Sequence, residues 1–133
     1  MKKILVIDDN LDIRENSIEM LELSGYHVFG AADGQTGIEL AIREIPDIII
    51  CDIMMPLMDG HEVLQKIRCH DQTAHIPFVF LTARSEKKDI RAGMELGADD
   101  YLVKPFEDYE LLEVVELRLS HCAGEQAIGK NSI

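Results

Sequence analysis

Hydrophobic residues gather in five short segments of the chain, separated by longer stretches of mixed polarity. The first, third and fourth segments are apolar at consecutive positions, as are strands buried on both faces of a parallel sheet. We therefore predict five strands: ILVID (4–8), HVFGA (27–31), DIIIC (47–51), FVFLT (78–82) and YLV (101–103).

Apolar residues between and after these strands recur every three or four positions, the spacing of amphipathic helices. Ser85 stands where the N-cap of the fourth helix is expected. The clearest series is Ile38, Ala41, Ile42 and Ile45. Shorter series predict four further helices: Ile18 and Leu21; Val63, Leu64 and Ile67; Ile90 and Met94; Leu112, Val115 and Leu119.

The regular alternation of strand and helix predicts a doubly wound α/β fold, a parallel sheet with helices on both faces. A chain of 133 residues has the size of about one domain. Helical periodicity is lost from about Cys122 onward. We therefore assign residues 1–121 to the domain and residues 122–133 to a C-terminal tail or the start of a linker.

Composition excludes several classes of protein. No apolar run approaches the ~18 residues that a membrane span requires, and the first residues, MKKILVIDD, lack a secretory leader pattern. The three cysteines show no paired spacing, which favours reduced thiols. We expect a cytoplasmic protein that makes no contact with membranes.

The chain is strongly acidic, with 25 acidic and 13 basic residues and a formal net charge of −12. A field of this sign repels the phosphate backbones of DNA and RNA. We therefore expect that this domain does not bind nucleic acid by itself.

Polar side chains stand at the carboxyl ends of four predicted strands. Asp8 and Asp9 end the first strand, Asp52 follows the third, Thr82 ends the fourth and Lys104 follows the fifth. The carboxyl ends of parallel strands form one edge of the sheet, where ligands of open α/β sheets bind. Each residue alone also fits a helix cap, a strand residue or a surface charge, but the set together favours a site.

The chemistry of this set points to phosphoryl transfer. Clustered carboxylates resist ionisation unless a cation lies among them, and oxygen ligands without His or Cys favour Mg²⁺. A divalent ion beside an ammonium and a hydroxyl can bind a phosphoryl group. Asp52, alone at the end of a central strand, is the candidate nucleophile.

Four motifs carry a resemblance to a known family. VIDDN (6–10), DIMMPLMDG (52–60), FLTA (80–83) and GADDYLVKPF (97–106) match in order and spacing. Across residues 2–121 the chain resembles the receiver domain of bacterial two-component response regulators, of the chemotaxis-regulator type. The resemblance implies a flavodoxin-like three-layer sandwich, with five helices and strand order 2-1-3-4-5.

The resemblance also implies a role for each acidic residue. Asp52 would be the phosphoacceptor, loaded by a sensor histidine kinase or a histidine phosphotransfer protein. Asp9 would ligate Mg²⁺ directly and Asp8 mainly through water. Asp52 itself and the backbone carbonyl of Met54 would complete the protein ligands.

Three further residues have implied roles. Lys104 would pair with the phosphoryl oxygens, and its bond to Pro105 is expected to be cis. Thr82 would hydrogen-bond the phosphoryl group, and Tyr101 would turn inward with it as the second residue of the switch.

Two variable positions would tune the lifetime of the phosphorylated form. By the resemblance these positions are Met54, which offers an attacking water no polar group, and Arg84, which would screen the phosphoryl group. We expect a long-lived phosphoform. We expect no enzymatic activity beyond the domain's own phosphorylation and dephosphorylation.

The resemblance leaves the output open. One arrangement is a stand-alone receiver that acts on a downstream protein or passes its phosphoryl group onward. The other is the N-terminal receiver of a longer regulator with a fused output domain, including a DNA-binding one.

A phosphorylation-dependent homodimer through the fourth helix, fifth strand and fifth helix is a further implied partner. Asp99 and Asp100 are present, but Val114 stands where one subgroup carries an arginine. Arg118 offers a substitute for that arginine, but a solvated helix charge is the favoured interpretation.

Two other doubly wound families fit less well. A flavin-binding electron carrier needs a Ser/Thr-rich phosphate loop after the first strand, where this chain has the acidic DDNLD (8–12). A haloacid-dehalogenase-type phosphatase needs D-x-D-x-T after its first strand, which is absent there.

Overall fold

The computed structural model describes residues 1–83 and 87–131, and it describes residues 87, 89 and 121–131 by their backbone. Strands and helices alternate along the chain. They are β1 (Lys3–Ile7), α1 (Leu11–Leu23), β2 (His27–Ala31), α2 (Gly34–Glu44), β3 (Ile48–Asp52), α3 (Gly60–Cys69), β4 (Phe78–Ala83), α4 (Lys87–Glu95), β5 (Asp100–Lys104) and α5 (Asp108–Asn131).

The five strands form one sheet in the order β2-β1-β3-β4-β5, and every neighbouring pair is parallel. This arrangement confirms the predicted doubly wound fold and its strand order. The order reverses beside β1, so the carboxyl ends of β1 and β3 flank the position where ligands of such sheets bind.

Two apolar clusters fill the space between the sheet and its helices. On one face, strand residues pack against α2 and α3, through side chains such as Ile38, Val63 and Ile67. On the other face they pack against α1 and α5, through Leu21 and Val115. Helices therefore cover both faces of the sheet in three layers, as expected for strands that are apolar on both sides.

Two apolar positions of the predicted helices are exposed. Ile45 was predicted on the buried face of the second helix, but it is the C-cap of α2, with a left-handed φ of 46° and 42% exposure. The following Pro46 disfavours helical backbone at this residue. Met94 is 43% exposed, whereas its neighbour Gly93 is buried so close to Phe80 that a Cβ there would clash with the ring.

Helix α5 extends through residues 122–131, which sequence analysis assigned to a tail or linker. The loss of apolar periodicity does not by itself end a helix, and a tail or linker can itself be helical. The domain boundary near residue 121 stays a prediction.

Both acidic residues at the start of β5 are paired within the chain. Arg118 lies 3.2 Å from Asp100, and both side chains are about three-quarters buried. The interpretation of Arg118 as a solvated charge was therefore wrong, because α5 packs beside β5. Asp99 accepts hydrogen bonds from the Phe78 backbone at 2.7 Å and from Arg68 at 3.3 Å.

Both cysteines whose side chains are described, the buried Cys51 and the exposed Cys69, are free thiols. Within the described residues, no helix combines the length and hydropathy that crossing a bilayer requires.

Candidate functional site

The sheet register aligns the strand ends that the sequence analysis singled out. Ile7 pairs with Cys51, so the following residues, Asp8 and Asp52, leave neighbouring strands at the same level. On the other side of β3, Asp52 pairs with Leu81, one residue before Thr82. Ala83 in turn pairs with Lys104.

Polar side chains are buried at this edge, which is unusual in a protein interior. Asp8 is 0%, Asp52 5% and Thr82 1% exposed, and they are three of the five buried polar residues in the described part of the chain. Asp9 is exposed beside them. The edge is therefore a polar pocket with buried walls and one solvent-facing carboxylate.

Lys104 joins two of the carboxylates. Its Nζ donates to Oδ2 of Asp8 at 2.9 Å and lies 3.3 Å from Oδ1 of Asp52. The lysine side chain is 15% exposed. Its peptide bond to Pro105 is cis, as the resemblance implied. Lys104 is thus the counter-charge of a buried acidic pair and not a surface charge.

The pKa of the Asp52 carboxyl is raised from 3.8 to about 6. Burial is the largest cause, since it disfavours the charged form, and the neighbouring Asp8 carboxylate raises the pKa further. The Lys104 ammonium acts in the opposite direction. Asp52 therefore remains mostly ionised at neutral pH but titrates close to it.

Carboxylate oxygens of Asp8, Asp9 and Asp52 lie within 4.8 Å of one another. Such a half-open set of oxygen ligands suits Mg²⁺, which keeps several waters in its shell. Asp8 already accepts protein hydrogen bonds on both oxygens, from the Asn10 backbone and from Lys104. These contacts favour an indirect role for Asp8 and leave the exposed Asp9 open to the ion.

Gly60 brings helix α3 against the strand that ends in Asp52. A Cβ at this position would lie 2.5 Å from the Asp52 carbonyl oxygen and 2.8 Å from Cα of Ile53. The Gly60 amide donates to the Ile53 carbonyl at 2.8 Å, and Asp59 forms a capping box with Glu62.

Two contacts around the acidic residues escaped sequence analysis. Arg14 donates to the backbone carbonyl of Asp8 at 2.7 Å, and the buried Cys51 thiol donates to the Asp52 carbonyl at 3.2 Å. A basic residue in the first helix is too common a feature to signal the Arg14 contact.

The roles expected for Met54, Tyr101, Arg84 and Ser85 stay predictions. Met54 follows Asp52 by two positions and exposes 65% of its side chain, while the role of its carbonyl stays a prediction. Tyr101 is 41% exposed at the start of β5, so its expected inward turn also stays a prediction. Arg84 and Ser85 lie outside the described residues, and so do the lifetime and capping roles predicted for them.

Comparison with known proteins identifies this arrangement. The family model of the response regulator receiver domain matches residues 4–116. The chain belongs to the response regulator receiver domain family. The receiver domain is 43% identical over 119 residues to the DNA-binding dual master transcriptional regulator RpaA of Synechocystis, covering 90% of this chain and 49% of that protein.

Two further comparisons agree. The transcriptional regulatory protein CpxR of Escherichia coli is 40% identical over 133 residues, covering 98% of this chain and 56% of CpxR. The chemotaxis protein CheY4 of Vibrio cholerae has a solved structure with a TM-score of 0.84 and 34% identity, covering 87% of this chain and 97% of that one. The receiver domain spans about half the length of the curated regulators that it matches.

Proposed function

We propose that this receiver domain accepts a phosphoryl group on Asp52 in a Mg²⁺-dependent reaction. The donor would be the phosphohistidine of a sensor histidine kinase or of a histidine phosphotransfer protein. The observation that carries the proposal is the contact of Lys104 with both Asp8 and Asp52 beside the exposed Asp9. This group offers a nearly buried nucleophile, a fixed cation and oxygen ligands for a metal.

Asp52 would act as the nucleophile in its ionised form. One carboxylate oxygen bonds to phosphorus while the bond from phosphorus to the donor imidazole breaks, and the imidazole takes up a proton. With a pKa of about 6, most Asp52 side chains are ionised at neutral pH. Lys104, whose Nζ lies 3.3 Å from Asp52 Oδ1, would bind the transferred phosphoryl oxygens.

Asp9, Asp52 and the carbonyl of Met54 would hold the metal, with Asp8 acting mainly through water. Mg²⁺ in this position would offset the negative charge of the incoming phosphoryl group. The donor set contains oxygen atoms alone, which supports a hard cation.

Thr82 and Tyr101 would form the conformational switch. Thr82 lies buried on β4, one residue beyond the partner of Asp52 in the sheet register. A hydrogen bond from its hydroxyl to the phosphoryl group would shift the end of β4, and the exposed Tyr101 ring would turn inward. The domain would thus be a substrate that catalyses its own phosphorylation and dephosphorylation, without further enzymatic activity.

The relatives support an output in transcription. RpaA and CpxR are named as transcriptional regulators, and each is about twice the length matched here. We propose that this receiver controls a fused output domain or a separate downstream protein in the cytoplasm. A phosphorylation-dependent homodimer through α4, β5 and α5 would rely on apolar contacts, because Arg118 and Asp100 already pair within the chain.

Mass spectrometry after incubation with acetyl phosphate and Mg²⁺ tests the central step. The parent chain should gain about 80 Da, the mass of one phosphoryl group, and Asp52→Asn should not. Asp71→Asn, an exposed loop residue, is the matched control and should gain the same mass as the parent. A parent without the adduct, or an adduct that persists in Asp52→Asn, would contradict the proposal.

A further inference from the structure

The loop between β3 and α3 holds a leucine in an unfavourable backbone conformation. Leu57 has a φ of 69°, in the left-handed region that residues with a branched side chain avoid. The amide of Met58 donates to the carbonyl of Pro56 at 2.8 Å, which closes a tight three-residue turn with Leu57 at its apex. Strained backbone of this kind is concentrated at functional sites.

The same turn exposes the leucine side chain completely. Leu57 has 104% relative exposure and Met54, three residues earlier, has 65%. The loop itself is well anchored, because Ile53 is 2% and Met55 8% exposed. The two apolar side chains are therefore presented to solvent by a fixed loop and do not result from a loop that fails to pack.

A third exposed apolar residue lies at the same edge of the sheet. Leu11 begins α1 directly after the acidic residues of β1 and is 53% exposed. Since β1 and β3 are neighbours in register, both connections start from the same edge. We refer to Leu11, Met54 and Leu57 as the apolar rim.

The position of Asp52 limits what can cover this rim. Asp52 is 5% exposed, so a phosphoryl donor reaches it through the carboxyl edge of the sheet. A second copy of this chain is a poor occupant, since each copy has a net charge of −12 and would bring its own Asp9 and Asp12 to the contact. Acetyl phosphate, by contrast, is too small to cover side chains outside the pocket.

We propose that Leu57 selects protein phosphodonors by packing against apolar residues beside the donor's phosphohistidine. This inference rests on the proposed function and assigns a contact to it. Burial of an exposed leucine contributes affinity without competing for the carboxylates or the metal. The strained turn keeps the side chain directed outward in the free domain, so little ordering is needed when the donor binds.

Phosphoryl transfer from two kinds of donor tests the proposal. One donor is a phosphorylated histidine phosphotransfer domain, chosen because it labels the parent chain, and the other is acetyl phosphate with Mg²⁺. Leu57→Ala should lower kcat/KM with the protein donor about tenfold, mainly through KM, because an anchor contact is lost. The rate with acetyl phosphate should stay within about twofold, because the contact lies outside the acidic pocket.

Two matched variants complete the experiment. In Leu57→Gly the glycine adopts the positive φ without strain and the turn is kept. This variant should therefore show the same loss of kcat/KM with the protein donor as Leu57→Ala. Leu23→Ala removes a leucine that is 83% exposed at the opposite end of α1, and both rates should equal those of the parent.

Several results would overturn the inference while leaving the proposed function intact. Equal losses with both donors would mean that Leu57 shapes the acidic pocket. Unchanged rates with both donors would show that Leu57 contacts no donor. If the parent chain forms a dimer that Leu57→Ala does not form, while both rates are unchanged, the apolar rim would instead be a self-association surface. A folded parent that acetyl phosphate does not label would instead refute the proposed function itself.

Discussion

At the scale of single residues, Asp52 lies almost buried between a carboxylate and an ammonium. Burial and Asp8 raise its pKa, and Lys104 only partly opposes them, which gives a folded-state pKa of about 6 against an ordinary 3.8. At pH values between 3.8 and about 6, Asp52 binds more protons in the folded chain than in the unfolded chain. The free energy of unfolding therefore falls as the pH rises from about 4 to about 6. Above about pH 6 this stability penalty, caused by the ionised and buried Asp52, has reached its full size.

Asp52→Asn should remove this penalty. In EDTA at about pH 7.5, we expect the variant to gain about 1–3 kcal/mol in free energy of unfolding, from the size of the pKa shift. Near pH 4.5 the gain should shrink by about two thirds, because Asp52 is then mostly protonated in the folded parent. Urea denaturation at both pH values measures the difference, with Asp71→Asn as control. A gain of the same size at both values would contradict the assigned pKa.

At the scale of elements, the approach of α3 to β3 fixes the geometry around the phosphoacceptor. The close contact of Gly60 with the Asp52 and Ile53 backbones leaves no space for a Cβ. The atoms that a Cβ would meet belong to main chain, which cannot move without shifting Asp52. The glycine is therefore required by packing, in addition to any preference of the preceding turn.

Gly60→Ala should destabilise the domain by about 1–3 kcal/mol, the usual cost of overpacking. It should also slow labelling by acetyl phosphate, because the end of β3 shifts. Gly30→Ala is the matched control, since its Cβ would meet the mobile Cδ1 end of Ile18 at 2.6 Å. Urea denaturation and the labelling rate measure both effects. Equal losses in the two variants would show that backbone contact at Gly60 has no special importance.

At the scale of the whole molecule, the net charge of −12 and the acidic edge of the sheet both lower the stability of the fold. Self-repulsion among the carboxylates opposes the compact state, and the close approach of Asp8, Asp9 and Asp52 adds to it. A bound divalent cation would relieve this repulsion and thereby stabilise the fold as a whole.

Mg²⁺ should raise the melting temperature of the parent chain. At ten times its Kd the ion should add about 1.4 kcal/mol to the free energy of unfolding. Asp9→Asn should lose most of this gain, because the variant removes the exposed ligand. Asp12→Asn, an exposed acid on α1, should keep it. Differential scanning calorimetry across a Mg²⁺ titration measures the shift, and equal shifts in parent and Asp9→Asn would contradict this metal site.

The local pattern of hydrophobic and polar residues was sufficient to predict most of the fold. All five strands were predicted within one residue of their observed bounds. The errors have tertiary or local steric causes. Ile45 satisfies the helical spacing but precedes a proline. The spacing also favours burial of Met94, because a hydrophobic pattern does not register a buried glycine such as Gly93. Arg118 looked solvated because its partner on β5 is 18 residues away in sequence.

The sequence by itself determined the order of strands and helices and the chemical groups at each strand end. Both follow from side-chain period and residue type, which are local properties. The tertiary structure decided how these groups interact, because burial and charge depend on segments that are distant in the chain. Asp8 and Lys104 are 96 positions apart yet form a 2.9 Å contact. The raised pKa of Asp52 depends in the same way on how distant segments pack, because its causes include burial, Asp8 and Lys104.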